Sequence, residues 1–328
     1  MKTTRFLFTA ALAILLRANG FADPVAELTA FSAFKSVDLQ KMAGGEVMSA
    51  RMPAMGFARG ISTQFCYVVP AGLQKTVELH ERWNATRHPE LKVYLHGEIQ
   101  AKPAPGDFSK ISSAPDNAPV RALFAATQKL DPNNPQIQMS AAEAKLFKPG
   151  ADPRAFWSDL LFHRAGAFAA GGLAKEPPYN FNGETVQLTG ETDRLLKEQP
   201  KVRSQFSALA ASLSGVPPLR QLYWELSDVE GTAAFSLGAL CAKAPADNWQ
   251  AIDLHYYAGG GYFVLLTFYQ MWPVAIGSQQ ATLVWRCDLL SAPSLSELHG
   301  VERLASANAM TKEIQKTITI FLKDAKAK

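Results

Sequence analysis

The sequence predicts an α+β fold: an antiparallel β-sheet, a long C-terminal helix packed on it, and a helical insertion in the middle. Three observations carry this. Residues 249–271, WQAIDLHYYAGGGYFVLLTFYQM, read as two strands folded back through Ala258-Gly259-Gly260-Gly261, because strand formers flank glycines at the fold point. A further strand candidate, 281–290, follows closely. Beyond it Val301, Leu304, Ala307, Met310, Ile314, Ile318 and Phe321 recur at steps of three and four, the stripe of a helix packed against a core.

Earlier elements fit the same class. Residues 23–40 form an amphipathic lead-in. Residues 60–70, GISTQFCYVVP, are β-branched and aromatic up to a terminating proline, which marks a strand. Leu73, Val77, Leu79 and Trp83 carry helical spacing. Residues 92–99 alternate, with Val93, Leu95 and Gly97 on one face and Tyr94, His96 and Glu98 on the other, so 60–99 is a β-α-β run. From 101 to 220 strand signals give way to proline and short capped helices. Asn117 with Pro119, the Ser140/Glu143 capping box and Asp152-Pro153 each open one. The stretch reads as an insertion on a single domain spanning 23–328, with a two-domain α+β arrangement as the alternative. A short strand at 183–188 and helices at 191–213, broken at Pro200, complete it. Residues 221–242 return to strand character, with a turn at Gly231 and a bulge at Gly238. Trp272-Pro273 reads as a chain reversal.

Residues 1–22 have the order of a secretory signal peptide: Lys2 and Arg5, the apolar run 6–16, then small residues. The expected location is periplasmic or secreted, in a bacterium. That segment holds three cations, Lys2, Arg5 and Arg17, and no acid, so the net charge falls from +4 to +1 without it. The remainder has no basic stripe for nucleic acid and no second apolar run long enough for an integral membrane segment. Cys66, Cys241 and Cys287 are too few for a disulfide scaffold. They are read either as three buried thiols or as one Cys241–Cys287 bridge with Cys66 left over.

Chemistry is sparse. The serine-hydrolase elbow, the P-loop, the dinucleotide fingerprint, HExxH and CxxC are all missing, so neither a cofactor nor a metal is expected. Alternation places Trp249, Asp253, His255 and Tyr257 on one face of the first hairpin strand, and Thr282, Val284, Arg286 and Asp288 on one face of the strand 281–290. If those faces coincide, Asp253, His255, Arg286 and Asp288 meet over one patch of sheet, joined by Tyr223 and Glu225. Asp253, His255, Arg286, Tyr223 and Tyr257 are the expected ligand-binding residues. His255 with Asp253 or Asp288 is the candidate pair for acid–base catalysis, because histidine titrates near neutrality and a carboxylate can orient its ring.

In the order of its elements over 60–99 and 221–323, the chain resembles the helix-grip domains of the START-like lipid-binding superfamily. There a curved antiparallel sheet grips a final helix around an apolar cavity. The resemblance implies an apolar or amphipathic small molecule, such as a lipid, bound between sheet and C-terminal helix, and it carries no functional residue across. A hydrolase using His255 and a structural or interaction protein of the cell envelope are the alternatives. Nothing in the sequence specifies an oligomeric state.

Overall fold

The computed structural model describes residues 23–133, 135–215, 217–243 and 247–327. The expected signal peptide, 1–22, lies outside them. The chain begins with helices α1 (Pro24–Phe31) and α2 (Leu39–Ala43) and strands β1 (Met48–Arg51) and β2 (Gly60–Val69). Helix α3 (Leu73–Glu81) leads through two short 3-10 turns to β3 (Val93–Ile99). The insertion contributes α4 (Ala118–Gln128), α5 (Ala141–Ala144), α6 (Pro153–Gly171), a small hairpin of β4 (Tyr179–Phe181) and β5 (Glu184–Val186), then α7 (Leu188–Glu198), α8 (Pro200–Gln205) and α9 (Ser207–Ser212). Strands β6 (Leu219–Val229), β7 (Thr232–Ala242), β8 (Trp249–Ala258), β9 (Val264–Ile276) and β10 (Gln279–Ser291) follow as a meander, and α10 (Gly300–Lys326) ends it. The fold is α+β.

The eight-stranded antiparallel sheet has the order β1-β2-β10-β9-β8-β7-β6-β3. The last strand therefore pairs with β2, from Thr282 opposite Val69 to Ser291 opposite Gly60. The β-α-β run is not a pair of neighbouring strands: β2 and β3 lie six strands apart, and α3 crosses the sheet over β10 and β9. Both faces of the sheet are covered, so β2 is buried along its whole length and β9 along most of it. Helices α3 and α10 cover one face, burying Val77, Ile318, Phe321 and Leu322 against Tyr67, Trp249 and Tyr269. The insertion and α1 cover the other, where Phe168 stacks on Tyr256 and Trp157 packs on Phe235.

Three expectations change, and one of the two readings of the cysteines holds. Strand β9 continues through Pro273 to Ile276, and the reversal follows at residues 277–278. Pairing with β8 stops at Met271, so the prolyl nitrogen interrupts no ladder on that side. Bulges alter two faces. One between Val93 and Leu95 puts Leu95 on the insertion side and Val93 with His96 on the α10 side. The other, opposite the Leu237–Gly238 step, leaves Tyr256 unpaired and turns Tyr257 to the insertion side, away from Asp253 and His255. The α10 stripe packs mainly through its C-terminal half: Ile318 and Phe321 are buried, Ala307 and Met310 lie on a minor cluster, and Val301 and Leu304 are exposed. Finally, all three cysteines are free, buried thiols. Cys241 on β7 and Cys287 on β10 have two strands between them, roughly 14 Å at the usual strand spacing, beyond disulfide reach.

A buried arginine ties the insertion to the sheet. Arg164 on α6 is fully enclosed and pairs with Glu143 at 2.7 Å and Glu176 at 3.2 Å, its guanidinium 4.2 Å from the centre of the Tyr257 ring. Burial, reinforced by nearby Glu143 against the opposing pull of Arg164, pushes the Glu176 carboxyl up to about 8. Removing one member of such a group leaves charge without compensation in a dry site. Arg164→Met should lower the unfolding free energy by roughly 3–5 kcal/mol in urea titrations, and adding Glu143→Gln, which removes the closer carboxylate at 2.7 Å, should recover part of that loss.

Candidate functional site

Between the sheet and the covering helices α3 and α10 lies a cavity of about 300 Å³, at the small end of ligand pockets. Its floor is polar and comes from alternate residues of the meander: Tyr223 and Glu225 on β6, Asp253 and His255 on β8, Thr267 and Tyr269 on β9, Arg286 on β10. His96 from β3 closes one side. The opposing wall is apolar, with Ile318 and Phe321 of α10 and Leu91 and Val93 beside them.

Register explains why these side chains meet. Asp253, Thr267 and Asp288 stand in one row across β8, β9 and β10, while Tyr223, Gly238 and His255 stand in another across β6, β7 and β8. Gly238 is the enabling residue. A Cβ there would sit 2.1 Å from Cζ of Tyr223, so the tyrosine ring can cross β7 only because that position is glycine. The Tyr223 hydroxyl then donates to Oδ1 of Asp253 at 2.7 Å. Burial raises the Asp253 carboxyl above its ordinary range, opposed by nearby His255 and by this hydrogen bond.

Of the expected ligand-binding residues, Asp253, His255, Arg286 and Tyr223 line the cavity, whereas Tyr257 faces Arg164 on the far side of the sheet. Asp288 is buried beside the cavity, accepting from Thr267 at 2.8 Å and from Nε and Nη2 of Arg286. The proposed catalytic pair is not assembled by hydrogen bonding. Nδ1 of His255 bonds the Tyr262 hydroxyl at 2.6 Å, Asp253 is held by Tyr223, and Asp288 by Arg286. Among the imidazoles lining the cavity, it is His96 that meets a carboxylate, with Nδ1 3.2 Å from Oε1 of Glu225.

His80, His96 and Tyr269 are site residues beyond those singled out from sequence. His80 rides on α3, 4.3 Å from the Tyr269 ring centre, with Trp249 and Phe321 also edge-on to it. No periodic signal links a helix to a strand six positions away in the sheet; only the crossover brings His80 and His96 to one cavity. At the rim, Asp324 of α10 accepts from Trp83 and bonds Nε2 of His88, both at 2.8 Å, clasping the 82–92 segment to the helix. Among the described residues no group of three or more His, Cys, Asp or Glu side chains is placed to hold a metal ion.

No protein-family model matches the chain, and no curated protein matches it either.

His80 makes the cavity wall acid-sensitive. Its Nδ1 is buried without a hydrogen-bond partner, and burial, with Arg286 nearby, lowers its pKa from 6.5 to about 4. Between those values the unfolded chain binds a proton that the folded chain refuses, so stability falls as pH drops from 6.5 to 4. The group contributes a loss of up to about 3 kcal/mol. His80→Phe keeps the aromatic contacts and should flatten the urea-denaturation profile across that window; an unchanged pH slope would count against this assignment.

Proposed function

We propose that this protein binds an amphipathic small molecule between the sheet and α10. The observation that carries the reading is the mixed lining of the cavity: hydrogen-bonding side chains predominate on the strand side, and Ile318 and Phe321 form an apolar patch on the α10 side. Ligand pockets combine such apolar walls with a few polar groups that fix orientation. A final helix laid over an antiparallel sheet, with the last strand paired to β2, supports the resemblance to helix-grip lipid-binding domains. The leader-like segment at 1–22 supports an exported location, where such a protein would meet envelope or environmental small molecules.

The hydrolase alternative loses the support of its pair, because His255 bonds a tyrosine hydroxyl and both carboxylates are engaged elsewhere. An envelope interaction protein without a cavity is disfavoured by the cavity itself.

Native mass spectrometry of the protein purified without detergent should show a species heavier than the bare chain, and organic extraction should release a small molecule of matching mass. Gln221→Trp, which adds bulk to a partly exposed lining position, should reduce that occupancy at least fivefold. A bare mass in every preparation, with no uptake of added amphiphiles, would sink the proposal.

A further inference from the structure

The charge inside the cavity is unbalanced, and the imbalance points to the ligand. Three carboxylates line it, those of Glu81, Glu225 and Asp253, against a single permanent cation, Arg286. Arg286 is already spent on Asp288, to which it donates through Nε and Nη2 at 2.7–3.1 Å. Glu81 has its own partner in Arg220 at 3.2 Å, on the outer side. That leaves Glu225 and Asp253, both partly buried, whose direct partners are an imidazole and a phenol, not a lysine or arginine. Buried carboxylates are ordinarily matched by a cation or a metal, and among the described residues there is no metal cluster.

The surroundings suit an organic cation. Tyr223 lies beside both carboxylates in the register, and Tyr67, Tyr269 and Trp83 complete an aromatic lining. Aromatic faces attract ammonium groups, most strongly where water is excluded. A lone anion in the same place would face Glu225 and Asp253 at close range, and the Arg286 guanidinium is already neutralised by Asp288. The apolar wall of Ile318 and Phe321 remains for a hydrocarbon part.

We propose that the ligand is an amphipathic amine or quaternary ammonium compound, its cationic head set against Glu225 and Asp253 and its apolar part against α10. This rests on the binding function proposed above and specifies its ligand class.

Three probes of matched chain length separate the ideas: octylammonium, octanoate and 1-octanol, titrated into the protein at pH 7.5 by calorimetry. Octylammonium should bind at least tenfold more tightly than either of the others. Glu225→Gln combined with Asp253→Asn should abolish that preference, bringing octylammonium affinity to within twofold of 1-octanol affinity measured on the same variant. Thermal melting verifies that the double variant is folded, and Glu225→Gln alone, at a partly exposed site, serves if it is not; it should reduce the preference at least threefold. Equal or tighter binding of octanoate, or an amine preference that survives the substitutions, overturns the ligand class but leaves a binding function standing. Failure of all three probes to bind overturns both.

Discussion

Pairing of the last strand with the first long one is the constraint on which the rest of the structure depends. Ten successive residues of β10 lie opposite β2, so the meander from β6 to β10 and the N-terminal strands become one sheet. Because β2 and β3 then stand far apart, the segment joining them must cross a face of the sheet, and α3 does so. The chain leaving β10 has the same face available beside α3, where α10 settles. The cavity is what remains between these two helices and the strands beneath them.

The two faces of the sheet are built on different physical terms. The insertion side is filled with large apolar and aromatic side chains, Trp157, Trp224, Phe168, Tyr256 and Trp285 among them, and its buried charges occur in pairs, Arg164 with Glu143 and Glu176, and Glu191 with Arg59. The α10 side has a smaller apolar cluster confined to part of its area. Over the rest, tyrosines, carboxylates and histidines from alternate strand positions replace it. A sheet face that withholds apolar contact sacrifices stability locally, and such local violations of the core pattern are expected at functional sites.

Small backbone features decide which side chains reach that face. Gly238 gives Tyr223 a path across β7, and Gly97 does the same for the Trp224 indole on the opposite face, where a Cβ would lie 2.3 Å from Nε1. The unpaired Tyr256 shifts alternation by one, so His255 and Tyr257, two apart in sequence, face opposite sides. The same kind of shift separates Val93 from Leu95.

Much of this was legible in the chain itself. Local pattern determined the α+β class, the 249–271 hairpin, the following strand, the helical character of 101–220 and the C-terminal helix, because period-2 and period-3.6 burial leave their marks in consecutive residues. It also grouped Asp253 with His255 and Arg286 with Asp288, since within a regular strand alternation is enough. Tertiary structure alone decided the remainder. Strand order joined β10 to β2, bulges removed Tyr257 from the site, and the crossover added His80 and His96. It also assigned His255 to Tyr262 and Asp253 to Tyr223. Each of these depends on which distant segments pair and in what register, and a one-residue slip between strands leaves composition and periodicity unchanged while turning every side chain to the other face.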